Sequence, residues 1–552
     1  MKSVSVLFLL LMIIGMSGCR FSTQEVDLIV HNATIYQVDD AFSKAEAMAI
    51  KDGKILAIGK EREILNAYSA KRMIDAQHQF VYPGFQDAHA HFLAYALFKN
   101  EVDLNGLKSW EAVCSKVQQH NSDRDWIIGR GWDQNLWPGQ VMPDRKRLDE
   151  LFPDRPVWLM RVDGHAGIAN RKALEIARLM DAKGVQGGQI FRYPGGEPTG
   201  LLLDNAMIPI QEIIPAYTSK DKEQGLVLAQ EACFAVGLTH ITEAGLDRDE
   251  IQFLDSLQKA GVLKMPMYIM ASQDKATIAH YIERGIDTAN HQLVVRSFKY
   301  YADGALGSRG ACLINPYQDL LAEGKKDFGK MLGNHEEWMK EWMALDKKGF
   351  QVCTHAIGDS ANRVVLNDYA KILGGSNDKR WRIEHAQVVD HNDVSMFGQY
   401  NIIPSVQPTH ATSDSPWAWQ RLGRSRVVEA YKYATLLKEN GMMALGTDFP
   451  IEDIDPMKTF FAAVFRMDKG GAMANPFQLN EAITREQAIR GMTIWNAVAR
   501  FAEHYSGSLE MGKDADFIIT SVDLMIGTPD QLKENIVIAT FIGGKEMYSK
   551  KK

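Results

Sequence analysis

"GFQDAHAHF", Gly84 to Phe92, follows the apolar run "FVYP" and sets His89 and His91 two positions apart. Side chains at i and i+2 of an extended strand leave the same face, so the two imidazoles are offered side by side. Fifteen histidines in 552 residues produce roughly 0.4 such HxH patterns by chance. The motif therefore takes its meaning from what the rest of the chain places next to it.

Seven further strand candidates follow: "GLTHITEAG" (237–245), "KMPMYIMA" (264–271), "SFKYYADG" (297–304), "FQVCTHAIG" (350–358), "RWRIEHAQ" (380–387), "IIPSVQPTH" (402–410) and "MMALGTDFP" (442–450). Helical patterns such as "KEQGLVLAQEACFAVG" and "EEWMKEWMALDKKG" separate several of them. Alternating β and α units in this number predict an α/β chain folded as a (β/α)8 TIM barrel over 83–502. The long gap after the first strand reads as an insertion at about 104–225. Outside the barrel, "DLIVHNATIYQV", "AMAIKDGKILAIG", "DADFIITSVDL" and "IVIATFIGGKEMY" share a texture of short apolar runs. The "KDGK" turn between two such runs is a hairpin signal. Segments 24–82 and 503–552 are thus expected to form a small β-sandwich domain built from both termini.

A TIM barrel carries its chemistry at the C-terminal ends of its strands. Those ends hold His89 and His91 on the first strand, Lys299 and Asp303 on the fourth, His355 on the fifth, His385 on the sixth, His410 on the seventh and Asp448 on the eighth. A lone histidine is more often packed or at the surface. Several at one end of one barrel, with a carboxylate, suit a divalent ion such as zinc. Asp303 and Arg309 in "DGALGSR", His165 in "VDGHAG" and His410 in "PTH" are candidate substrate contacts.

Charge is unremarkable: 62 Lys and Arg oppose 69 Asp and Glu, a net −7, with no basic block to suggest nucleic acid. The chain begins "MKSVSVLFLLLMIIGMSGCR". A basic residue, an apolar run too short to span a bilayer and then small residues read as a signal peptide over 1–18. "MSGC" resembles a bacterial lipobox, which makes Cys19 the expected lipidation site and the bacterial cell envelope the expected location. Membrane contact is then expected through the lipid anchor only. The other cysteines show no CxxC spacing and imply no disulfide framework.

The order HxH, Lys, His, His, Asp on strands one, four, five, six and eight resembles the metal pattern of the amidohydrolase superfamily. "PGFQDAHAHF", "KYYADGALGSRGA", "THAIGDSAN", "RIEHAQ", "SVQPTHATSD" and "LGTDFPIED" are similar to its branch of N-substituted formamide deformylases and YtcJ-like hydrolases, over nearly all of 25–545. The resemblance implies one or two divalent metals. His89 and His91 would hold the more buried one and His355 and His385 the other, with Lys299 bridging them as a carbamate. Asp448 would be both ligand and catalytic acid–base. It also implies hydrolysis of a non-peptide C–N bond, an N-acyl or N-formyl amide, in a small molecule. Cyclic amides, carbamates and esters stay open as alternatives, as does a non-catalytic envelope binding or regulatory protein.

Overall fold

The computed structural model describes residues 23–550 apart from 121–123, 163–165, 186–187, 291, 322–323, 472 and 474. Segment 1–18, Cys19 and His165 lie outside the described residues.

All eight anticipated barrel strands are present: β1 (Phe85–Ala90), β2 (Leu238–Leu246), β3 (Met267–Ser272), β4 (Leu293–Tyr301), β5 (Gln351–Ala356), β6 (Arg382–His385), β7 (Ile403–Val406) and β8 (Ala444–Leu445). Each pairs in parallel with the next, β1 through β8. The ring is nearly closed, and the last gap is bridged just beyond the short β8. Asp448 N–H donates to His89 O and His91 N–H to Phe449 O, both at 2.8 Å. The Thr447 hydroxyl donates to Asp87 Oδ2 at 2.6 Å. Gly446 permits this approach, since a Cβ there would lie 2.7 Å from both Asp87 Oδ1 and His89 N.

The barrel helices follow from pattern and caps. Ser219–Ala235 starts with a capping box in which Thr218 and Asp221 satisfy each other's backbone N–H groups. His335–Lys347 buries Trp338, Trp342 and Leu345 at i, i+4 and i+7. Between β1 and β2 the chain builds a six-stranded sheet of its own, in the order Gly188–Arg192, Pro198–Asp204, Ala166–Ala169, Val157–Arg161, Ile127–Trp132, Val102–Asp103.

The chain ends form two more sheets. Lys54–Gly59, Ala47–Lys51, Gln24–His31 and Tyr68–Asp75 make a four-stranded sheet from the N-terminal segment alone. The other, a second six-stranded sheet, joins both ends: Phe80–Pro83 pairs antiparallel with Phe517–Thr520. The "KDGK" hairpin is present, with Lys51 opposite Lys54 and positive φ at Asp52 and Gly53. Leu28, Val30, Ile35, Ile50, Val81, Phe517 and Phe541 belong to one apolar cluster shared by these strands.

Candidate metal centre

His89 and His91 leave β1 on the same side, with ring centroids 5.5 Å apart. Their Nε2 atoms lie 3.6 and 3.3 Å from Asp448 Oδ1. Asp448 reaches them because the chain turns left-handed there, with φ 62°, two residues after the break at Gly446. The other carboxylate oxygen, Oδ2, lies 3.7 Å from His410 Nε2. The ligand atoms of His89, His91 and Asp448 all lie within 4.8 Å of one another, as do those of His385, His410 and Asp448. His355 stands beside His385 with ring centroids 4.4 Å apart, and its Nε2 is 3.6 Å from Asp303 Oδ1.

Lys299 points into the barrel, 1% exposed, with Nζ 3.0 Å from His89 Nε2 and 4.8 Å from the Tyr301 ring centre. Burial pulls its pKa down to about 8. Burial, with Lys299 nearby, likewise lowers His89 to about 4 and His355 to about 3. His385 is held well below its ordinary value by burial and by His355. Neutral imidazoles are what a metal requires. Asp448 goes the other way: burial opposes its charge, but His91, His89, His385 and His410 hold it ionised.

Around this centre stands a ring of support that the sequence reading missed. Glu384 Oε2 sits 2.6 Å from His89 Nδ1, which orients that ring and leaves Nε2 to face inward. Arg382 in turn grips Glu384, with Nε 2.7 Å from Oε1, and donates to Ala88 O and Ser405 Oγ. Burial disfavours the Glu384 carboxylate, yet Arg382 and His89 bring it down to about 2. Gln407 Oε1 lies 2.7 Å from His385 Nδ1. Glu243, at 1% exposure, accepts from the backbone N–H groups of Phe92 and Leu93 and so anchors the turn that follows His91. The available signal was "RIEH": two opposite charges at i and i+2 of a strand predicted to lie inside a barrel.

Two expected substrate contacts are placed differently. Asp303 is 1% exposed, and its carboxylate accepts from the N–H groups of Cys312, Ile357 and Gly358 at 2.8, 2.9 and 2.8 Å. It clamps the loop after β4 to the loop after β5. Arg309 donates to Asp319 at 2.8 Å, and Arg421 binds the same carboxylate, tying the β4 loop to helix Ala418–Leu422. His410 does join the centre, from the first turn of helix Pro408–Asp414 rather than from β7. A cleft of about 1050 Å³ opens between the insertion and the loop after β8, lined by Tyr95, Arg130, Arg161, Pro450, Ile451 and Glu452 among others. None of the candidate ligands lines it.

The donor set fits a divalent cation. Asp448 Oδ1, His355 Nε2 and His410 Nε2 are buried without a hydrogen-bond partner. Leaving a buried polar atom unpaired costs about 1–3 kcal/mol, which coordination offsets.

Barrel, centre and support together describe a metal-dependent hydrolase. The comparisons agree. Residues 72–548 match the family described as "Amidohydrolase family", and the chain belongs to that family. It is 32% identical to Protein LONG AFTER FAR-RED 3 of Arabidopsis thaliana, over 95% of this chain and 91% of that protein. It is 29% identical to YtcJ of Bacillus subtilis (95% and 99% covered), and 26% identical to the N-substituted formamide deformylase of Arthrobacter pascens (96% and 99%). A crystal structure of a metal-dependent hydrolase from Pyrococcus furiosus superposes with a TM-score of 0.73 at 27% identity, covering 90% of this chain and 100% of that one.

Proposed function

We propose that this hydrolase cleaves a non-peptide C–N bond, an N-acyl or N-formyl amide of a small molecule, with zinc as the metal. The observation that carries the reading is the convergence of His89, His91 and Asp448 ligand atoms within 4.8 Å at the C-terminal end of the barrel. Kinship with a formamide deformylase supports the bond type.

A divalent ion held there supplies a water acidified toward a pKa of about 7 and a polarised carbonyl. The chain's own residues do the rest. Asp448, kept ionised by four imidazoles, accepts a proton from the attacking water and delivers it to the leaving nitrogen, which departs poorly unless protonated. Glu384 and Gln407 hold the His89 and His385 rings in place. Lys299 is proposed as a carbamate. The ammonium first gives up one proton; the neutral amine nitrogen then bonds to the carbon of CO2 and releases a second, so a cation beside His89 becomes an anion with two oxygens. An unmodified ammonium there would meet both desolvation and like-charge repulsion.

The test is a panel of N-formyl and N-acyl amines, with cyclic amides, carbamates and esters alongside, offered to zinc-loaded protein. Turnover of the first group above the others is expected. Turnover confined to esters or cyclic amides would refute the bond assignment. Binding without turnover of any panel member would favour the regulatory alternative.

A further inference from the structure

We infer that Tyr301 contacts the substrate, its hydroxyl donating a hydrogen bond to the amide carbonyl oxygen as negative charge builds on it. The inference rests on the hydrolase reading above and leaves the metal ligands as they stand.

Tyr301 is the last residue of β4. Alternation along a strand gives Lys299 and Tyr301 one face and Tyr300 the other. The two tyrosines use their hydroxyls differently. Tyr300 is buried, and its hydroxyl donates to Glu341 of helix His335–Lys347 at 3.0 Å. Tyr301 is half-buried, and its hydroxyl makes no hydrogen bond among the described residues.

The Tyr301 ring is nonetheless held. Lys299 Nζ lies 4.8 Å from its centre. The ring of His355, its paired residue on β5, is 5.7 Å away at a tilt of 41°. The side chain reaches from β4 past β3 to the end of β2, where Gly245 makes room for it. A Cβ at 245 would lie 3.2 Å from the Tyr301 hydroxyl and 3.6 Å from Lys299 Cγ. Glu243, two positions earlier on β2, accepts from Phe92 N–H in the turn after His91. Asp448 and Glu243 are the two acids whose charges act on the phenol. Of the paired ligands, His89 is fully enclosed and His91 is partly open. The phenol therefore borders the open side of the centre, between Lys299 and the turn that follows His91.

A phenol is protonated at neutral pH and has one hydrogen bond to donate. Attack on an amide carbonyl puts negative charge on its oxygen. A fixed donor aimed at that oxygen lowers the barrier more than it tightens substrate binding. A hydroxyl whose ring is already held, with no internal bond to break, needs no rearrangement for that role.

Zinc-loaded wild type and Tyr301→Phe, which keeps the ring and removes only the hydroxyl, are compared on the amide of the panel that wild type turns over best. Tyr301→Phe should lower kcat by about 10²–10³-fold, with KM changed by less than about threefold. Zinc content by elemental analysis and Tm should match wild type. Isothermal titration with a phosphonate analogue of the same amide, which presents a tetrahedral anionic centre, should show affinity falling about as far as kcat/KM does. Near-native kcat together with unchanged affinity for the analogue overturns the inference. So does a loss of zinc or of Tm alongside activity, because the hydroxyl would then be holding Lys299 or the strand end rather than the substrate. Both of those results leave the hydrolase reading standing. A wild type inactive on the whole panel defeats that reading, and this inference with it.

Discussion

Asp448 combines roles that pull against each other: it must stay charged at 6% exposure and still exchange a proton. The four imidazoles around it meet the first demand. The second predicts that Asp448→Asn, which keeps the shape and one ligand oxygen, loses about 10²–10⁴ in kcat with a modest fall in bound metal. Steady-state kinetics with metal analysis checks this, and near-native turnover would exclude the proton-transfer role. Glu384 belongs to the same scale. Its contact with His89 and its clamp by Arg382 predict that Glu384→Ala lowers zinc affinity about 10–100-fold, measured by competition with a chelator. Unchanged affinity would mean that the His89 ring is held by packing alone.

At the scale of elements, the barrel closes where β1 meets the chain leaving β8, and the centre sits on that seam. Asp448 N–H and His89 O form one of the bonds that close it. Gly446→Ala would force a Cβ against Asp87 Oδ1 and His89 N, each 2.7 Å away. The expected cost is about 1–3 kcal/mol from overpacking, together with weaker metal binding because His89 and Asp448 separate. Denaturant unfolding and zinc titration measure the two effects. A stability loss with intact zinc binding would show that the seam and the centre are uncoupled. The eight strands were legible because short segments of strand length alternate with helical patterns along 83–502. The seating of His410 on a helix was not, because "PSVQPTH" reads as one extended run until Pro408 opens a helix at its first turn.

At the scale of the whole molecule, barrel and terminal sheets are joined beneath the centre by Asp516. Its backbone O accepts from Gly84 N–H, its Oδ1 accepts from Gly543 N–H at 2.7 Å, and its Oδ2 lies 3.8 Å from His240 Nδ1. Burial, reinforced by Asp514, pushes its pKa up to about 7 from an ordinary 3.8. A folded-state pKa above the unfolded one means that the associated stability is complete below about pH 4 and is lost as pH rises through 7. Asp516→Asn keeps an acceptor for Gly543 and has no charge to bury. Its melting temperature relative to wild type should therefore climb between pH 4.5 and 8, and a pH-independent difference would contradict the assignment. The proposed envelope anchor is a separate matter. If Cys19 is lipidated, Cys19→Ser moves the protein from the membrane fraction to the soluble one, and unchanged membrane association would refute the anchor.

The sequence by itself determined the kinds of residue at the strand ends, the order of the eight strands and the pairing of His89 with His91, because strand periodicity and donor chemistry are local properties. Lys299 could be placed inside the barrel for the same reason. Tertiary structure alone decided the rest. Asp303 and Arg309 look like site residues in "DGALGSR", yet one is closed off by three backbone N–H groups and the other is paired with Asp319, partners that no local pattern names. Glu384 serves His89 from 295 positions away. The left-handed turns at His385 and Asp448, φ 74° and 62°, redirect side chains that strand alternation would have sent elsewhere. Such turns are strained for non-glycine residues and are held by the closed barrel around them, so they exist only once the strands have met.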